Sequence, residues 1–560
     1  MNWYHCRTSV YSYRARGGMG AGDERSRVPL LIFSGITKLS DKDCRAQRNA
    51  KTDTTIKRGR RSYPRLADKP FSAFSAVLTM IEKGASVDAA CARLPVWPDP
   101  GVRIFGEYIA PLHKGLLSWI HHAAGSYVTA LRNDPFYQDT YHERATSGWR
   151  LRYAPSATDR PRELRIWGRS HIYMHHDQLV RELRIPYNGT AGRRHHPAEE
   201  IGFLAYVLAT GEPVADDDRD AASPQRVRVV EVGCADGTLS VICDMTPEEA
   251  DDAFSSTTAP LLDRLLSPPA RNVGRDCLDC KIRDDCGLLR RAPGLLDLDG
   301  HGLPPRIWSV TAGRYHADCP AKAHFRALQL PDDPSTEEPA AIRQGRAVHA
   351  WLRDLHERRP LRPCSPGDLP TEPSRWEAGG HALDGAVAKQ AAEMLRHHLR
   401  VCPLLGLPPE SQVRCERSVV VEDRRANILA LADVDMLYQR DGSWVYRELK
   451  TTSSAHPVPG PLLLWRYPQL AFAVLLFESG AIPLGSGSAI ELELLAPHGP
   501  DVRLIDPSSA RIREKAHSVV RKGSAAWHED DLYPPAPDER TCGACSYRYF
   551  CPSAIGASRA

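Results

Sequence analysis

The stretch Ile428-Leu-Ala-Leu-Ala-Asp433-Val-Asp435-Met-Leu-Tyr-Gln439-Arg440-Asp441-Gly442-Ser443-Trp-Val-Tyr-Arg-Glu448-Leu449-Lys450 decides how this chain reads. Two apolar runs flank Asp441-Gly442, and Asp-Gly between such runs is the strongest short-range signal for a β-hairpin. With those two residues as the loop, Asp435 stands opposite Glu448 and Asp433 opposite Lys450. Directly opposed residues bring their Cβ atoms to about 4.5–5.5 Å. Residues two apart on a strand share a face, so Lys450 points the same way as Glu448. Facing carboxylates repel unless a cation lies between them. Oxygen donors of this kind suit Mg2+ or Mn2+, which polarise a phosphodiester and acidify water. Lys450 alongside would orient a nucleophile or neutralise developing charge. Asp435, rather than Asp433, is the expected ligand, because its spacing fits the hairpin.

Outward from the hairpin, a cysteine rhythm occurs twice. Cys277-Leu-Asp-Cys280 is followed by Cys286, and Cys542-Gly-Ala-Cys545 by Cys551, each with a lone Asp-Cys far upstream at Cys44 and Cys319. Thiolates so spaced can hold Zn2+ or an iron–sulfur cluster. Cys234, Cys243, Cys364, Cys402 and Cys415 lack that spacing and read as buried, small apolar residues. Other features recur in the same order. Glu448-Leu-Lys450 precedes the helix-like run from Tyr467 to Gly480, and Glu182-Leu-Arg184 precedes a similar run from Glu199 to Gly211. A strand-like segment follows each. The chain therefore reads as one module written twice. In the first copy the hairpin construction pairs Glu182 with Arg169, Arg184 replaces lysine and Glu200 replaces glutamine, so that copy is expected to be noncatalytic.

Asp435 with Glu448-x-Lys450 resembles the signature of the PD-(D/E)xK nuclease superfamily. The rest of the second half resembles its RecB-like branch, which includes AddAB-type nuclease domains and CRISPR-associated exonucleases. Gly345-Arg-Ala-Val-His349 is similar to that branch's Gly-x-x-x-His motif, and Tyr467-Pro-Gln469 to its glutamine motif. Ser309 through Cys319-Pro320, with Cys542, Cys545 and Cys551, is similar to its [4Fe-4S] clasp. The likeness covers about residues 305–555, with Ala473 and Ala432 standing where the family has an aromatic residue and a glycine.

The resemblance implies Asp435, Glu448 and Lys450 as catalytic residues, His349, Asp435, Glu448 and Leu449 around the metal, and Gln469 and Tyr467 at DNA. It implies an iron–sulfur cluster at Cys319, Cys542, Cys545 and Cys551. A second four-cysteine cluster is expected at Cys44, Cys277, Cys280 and Cys286, its occupant left open between iron–sulfur, zinc and none; Zn2+ is the alternative at both sets. The expected fold is α/β: two tandem restriction-endonuclease-like units, each a central mixed sheet flanked by helices and closed by a four-cysteine cluster. Residues 1–28 form an expected disordered leader, 29–292 the degenerate unit and 305–560 the nuclease. The implied activity is Mg2+- or Mn2+-dependent DNA hydrolysis, as an exonuclease or end-processing enzyme in repair, recombination, or CRISPR or phage defence. The competing reading is a noncatalytic scaffold for DNA or a helicase. Expected partners are single-stranded DNA or duplex ends, and a helicase or CRISPR-adaptation protein. No GxxxxGK[ST] phosphate loop occurs, so a motor would come from another chain.

Composition sets the outer bounds. A chain of 560 residues exceeds one ordinary domain. A net charge of +4 favours nucleic acid only weakly, whereas Lys57-Arg58-Gly-Arg60-Arg61 and Arg193-Arg194-His195-His196 are local basic clusters. No apolar run reaches bilayer length, and Met1 to Arg27 lack the apolar centre of a signal peptide, so no membrane partner and a cytoplasmic location are expected.

Overall fold

The computed structural model describes residues 31–556 except 34–42, 58–63, 139–142, 145–147, 154–161, 167–170, 176–178, 215–222, 267–269, 301–302, 334–337 and 454–457. The expected leader, most of the Lys57–Arg61 cluster and Arg169 lie outside the described residues.

Asp441 and Gly442 both take positive φ (50° and 76°), the twist that a two-residue hairpin loop requires. Strands Ile428–Arg440 and Ser443–Thr451 close over them with Arg440 paired to Ser443. Around this hairpin a seven-stranded mixed sheet assembles. Val413–Asp423 flanks the Asp435 strand antiparallel, Ala489–Ala496 runs parallel to the Glu448 strand, and Gly499–Ile505 folds back at the edge. The parallel step needs a crossover, supplied by helix Pro468–Glu478. That helix is buried from Leu470 through Phe477, as a helix apolar on all sides must be. It packs with helix Ala510–Glu529 on one face of the sheet, in a cluster that includes Trp308, Tyr446, Phe472, Leu492 and Trp527. Helices Ala340–Glu357 and Gly385–His398 cover the other face through Val348, Leu395, Leu449 and Leu495. The result is a three-layer α/β/α unit.

The N-terminal half contains a four-stranded and a five-stranded sheet. In the latter, strand Val180–Tyr187 lies between His171–His175, antiparallel, and Arg226–Gly233, parallel. Glu182 pairs with Tyr173 in this ladder, which replaces the Arg169 partner expected from the sequence. Helices Pro70–Glu82 and Lys114–Asn133 do not pack on these sheets alone. Phe74, Trp119 and Ile120 share one apolar cluster with Phe325, Leu328, Tyr547 and Phe550 of the second half. Strand Arg290–Arg291, just ahead of the expected second domain, already pairs with Val413–Asp423.

The expectation of two tandem units each closed by a four-cysteine cluster is corrected here. The N-terminal half forms no evident closed unit of its own, since its core continues into the other half. Cys44, Cys277, Cys280 and Cys286 line one cleft, and Cys319, Cys542, Cys545 and Cys551 another. In neither cleft do three of the sulfurs lie within 4.8 Å of one another; among the described residues the sets that compact are His356–Cys364–His398–Cys402 and His349–Glu416–Asp435. Each set is drawn from separate short elements, such as the start of helix Arg45–Thr52 and the turn Arg275–Asp279 for the first, so the thiols share a cleft without three of them meeting at one point.

Among the described residues, no single helix is long and apolar enough to cross a membrane.

Candidate active site

The hairpin ladder is regular up to the pair Met436–Arg447 and opens beyond it. At the opening, Asp435 Oδ2 accepts a hydrogen bond from the Leu449 amide at 2.7 Å. Leu449, expected beside the metal, thus meets Asp435 through its backbone N–H. Asp435 Oδ1 faces His349 Nδ1 at 3.5 Å.

His349 projects from helix Ala340–Glu357. Gly345, one turn earlier, sets how closely that helix approaches the sheet, because a Cβ there would lie 2.9 Å from Thr451 Oγ1 at the end of the Glu448 strand. The Gly-x-x-x-His spacing thereby has a packing reason as well as a chemical one.

A third donor is Glu416, which sequence reasoning missed. It lies on strand Val413–Asp423 between the pairs Cys415–Met436 and Arg417–Val434, and so opposite Asp435. Its φ of 47° is left-handed, a conformation that costs a non-glycine residue on the order of 1–3 kcal/mol and is typically retained at functional sites. His349, Glu416 and Asp435 each present a ligand atom within 4.8 Å of the others, and all three are half-buried. One nitrogen with several carboxylate oxygens suits Mg2+ or Mn2+.

Glu448 lies beside this group, turned toward its own strand. Its Oε1 accepts from Lys450 Nζ at 2.5 Å and its Oε2 from Tyr446 Oη at 2.9 Å. Burial pushes the Glu448 carboxyl up, the Asp435 charge adds to this, and Lys450 opposes both. Burial alone would raise Asp435 too, yet His349, Lys450 and the Leu449 amide hold it down at about 2. Lys450 is held cationic: Glu448 and Asp435 raise it more than burial lowers it. A fixed cation beside two carboxylates orients or neutralises, and does not act as a base. A divalent ion would offset the burial that chiefly keeps Glu448 raised and the Asp435 repulsion that adds to it. The donor set therefore fits the metal expected from the sequence.

Asp433 is engaged elsewhere, accepting from Ser418 Oγ at 2.6 Å and facing Arg275 at 3.4 Å. Gln469, near the start of the buried crossover helix, has a buried amide oxygen with no hydrogen-bond partner among the described residues. Tyr467, half-buried, caps the same helix.

Residues 307–552 match the family model of the PD-(D/E)XK nuclease superfamily. This part of the chain is a PD-(D/E)XK nuclease superfamily domain. His349, Glu416, Asp435, Glu448, Lys450, Tyr467 and Gln469 all fall within it. No curated protein matches the chain.

Glu182 of the N-terminal half is placed quite differently. It is fully buried and faces Arg184 Nε at 2.5 Å, Tyr137 Oη at 3.0 Å and Arg228 Nε at 3.4 Å. Burial would raise its carboxyl, but His175 and Arg184 hold it down at about 2. Its charge is already answered by protein cations. Among the described residues no carboxylate set comparable to His349–Glu416–Asp435 occurs in this half.

Proposed function

We propose that the chain is a metal-dependent deoxyribonuclease that hydrolyses phosphodiester bonds, with its active site between the His349 helix and the opened end of the hairpin. The observation that carries this reading is the convergence of His349, Glu416 and Asp435 on one point, with Glu448 and Lys450 beside it. In this reading His349, Glu416, Asp435 and Glu448 hold Mg2+ or Mn2+, with the Leu449 backbone at the rim. The ion supplies Lewis-acid polarisation of the phosphodiester and a more acidic water. Lys450, already cationic, places its ammonium where negative charge grows on the phosphate. The Leu449 amide fixes the rotamer of Asp435. Gln469 and Tyr467 belong to the DNA side of this reading through the family resemblance, at the start of the crossover helix beside the Glu448 strand.

The finer parts of the reading are exonuclease or end-processing action on single strands or duplex ends, kinship with the RecB-like branch, and a cytoplasmic setting with a helicase or CRISPR-adaptation protein as partner. An iron–sulfur group at Cys319, Cys542, Cys545 and Cys551 belongs to it as a cofactor. Those thiols share one cleft, with Zn2+ as the alternative occupant. The N-terminal half, with its neutralised Glu182, contributes grip or docking rather than cleavage.

End-labelled single- and double-stranded DNA incubated with the full chain, with and without Mg2+ or Mn2+, tests the proposal. Cleavage that needs the metal and falls at least about 100-fold in Glu448→Gln is the expected outcome. DNA binding without cleavage under any of these conditions would leave a noncatalytic scaffold as the answer.

A further inference from the structure

Two helices on one face of the nuclease sheet end in the same way. Helix Ala340–Glu357 carries His356 in its last turn and is followed by Cys364. Helix Gly385–His398 ends on His398 and is followed by Cys402. All four residues are buried, with 6, 6, 1 and 3 % of their surface exposed for His356, Cys364, His398 and Cys402. One ligand atom from each lies within 4.8 Å of the other three. The Nε2 atoms of His356 and His398 are 3.2 Å apart, and Cys402 Sγ is 3.9 Å from His356 Nε2. A tetrahedral zinc ion, with Zn–N of about 2.0–2.1 Å and Zn–S of about 2.3 Å, separates its ligand atoms by roughly 3.3–3.8 Å. The observed edges are of that size.

Behind His398 stands the support that ligating imidazoles ordinarily have. His398 donates its Nδ1 proton to Glu493 Oε1 at 2.7 Å, which leaves Nε2 directed toward His356 and the two thiols. Glu493 is itself fixed by Arg447, Nη2 to Oε2 at 2.8 Å. A carboxylate on the far nitrogen sets the tautomer and raises the basicity of a metal-binding histidine.

We propose that His356, Cys364, His398 and Cys402 form a structural zinc site. Two sulfur and two nitrogen donors in a compact tetrahedral set select zinc over the hard cations that suit the carboxylate centre. Two thiolates cancel the charge of the ion, so the unit is neutral overall. It can then lie among Leu361, Leu404, Val413, Met436 and Tyr438, the apolar residues that surround the cysteines. The competing description is a metal-free cluster in which the same two histidines and two cysteines hydrogen-bond to one another. It accounts for the burial and the contacts, so metal content is what separates the two.

The site stands whether or not the chain cuts DNA. If it does, the ion has a mechanical role. His356 lies two turns beyond His349 on one helix and on the same side of it. Cys402 precedes the strand that carries Glu416. Zinc would thus fix the helix of one active-site ligand to the chain leading into another.

Zinc per chain, measured on the full-length protein after gel filtration, together with X-ray absorption at the zinc edge, tests the site. One zinc held by two sulfurs and two nitrogens is expected. Cys364→Ser/Cys402→Ser is expected to lose that equivalent, while Cys243→Ser, at a buried cysteine outside any such set, keeps it. Wild-type protein without zinc, a shell of four sulfurs or of oxygens, or an unchanged zinc content in the double variant would each overturn the proposal. The absorption measurement on the wild type decides the matter even if the double variant fails to fold.

Discussion

At the scale of single residues, the contrast between Glu416 and Glu448 is the most instructive. Glu448 was legible because a two-residue Asp-Gly loop fixes the register of everything beside it. Glu416 was not. Its strand pairs with the Asp435 strand through a longer connection, and no short motif surrounds it. Only its left-handed φ and its place opposite Asp435 reveal it. Glu416→Gln is expected to lower metal-dependent cleavage by at least about 100-fold while leaving DNA binding near wild type. A loss of less than about threefold in steady-state rate would remove Glu416 from the site. Lys450→Met should reduce the rate by a comparable factor without weakening Mn2+ binding, because the ammonium acts on the phosphate and not on the ion. Parallel measurements of Mn2+ affinity and single-turnover rate separate the two effects. The histidine–cysteine set escaped notice for a related reason. Its members follow helix ends at unequal spacings, with no Cys-x-x-Cys to mark them. The available signal was a histidine in the last turn of each of two helices, each followed by a cysteine.

At the scale of elements, the hairpin and the buried crossover helix follow directly from local pattern, whereas the cysteine spacing misled. A repeated spacing brings thiols to a common cleft. It does not decide how closely the elements that carry them converge. The first half repeats the lesson, because its ladder register sets Tyr173, not Arg169, against Glu182. One of its basic clusters also proves to be partly structural. His196 sits 3.1 Å from Glu231 on strand Arg226–Gly233 and 3.5 Å from Glu200 on helix Ala198–Thr210, and so ties helix to sheet. Burial would lower its pKa, but Glu200 and Glu231 raise it to about 9. A group raised on folding stabilises most below its unfolded pKa, near 6.5, and that contribution fades as pH climbs through the folded value. Stability in urea is therefore expected to fall by on the order of 2–3 kcal/mol between about pH 6.5 and 9. The fall should be absent in His196→Gln. A wild-type curve flat across that window would show that the triad contributes nothing.

At the scale of the whole molecule, composition gave only a length beyond one ordinary domain and could not show that the halves share a core. The ring of Phe325, on helix Pro320–Ala327, packs against the bare backbone of helix Lys114–Asn133 at Gly115, where a Cβ would lie 2.2 Å from it. Phe325→Ala is expected to cost about 3–5 kcal/mol in denaturant unfolding and to expose both halves to protease together. Early proteolysis of one half alone would contradict a shared core. Above that frame, the proposed function depends on one divalent ion that His349, Glu416 and Asp435, with Glu448 beside them, would hold. Mn2+ binding followed by electron paramagnetic resonance, with cleavage of labelled DNA read in the same samples, tests this most directly. Wild type should bind one Mn2+ at this centre and cut, and Asp435→Asn should lose the ion and the cutting together. Mn2+ binding and cleavage both intact in Asp435→Asn would contradict the account.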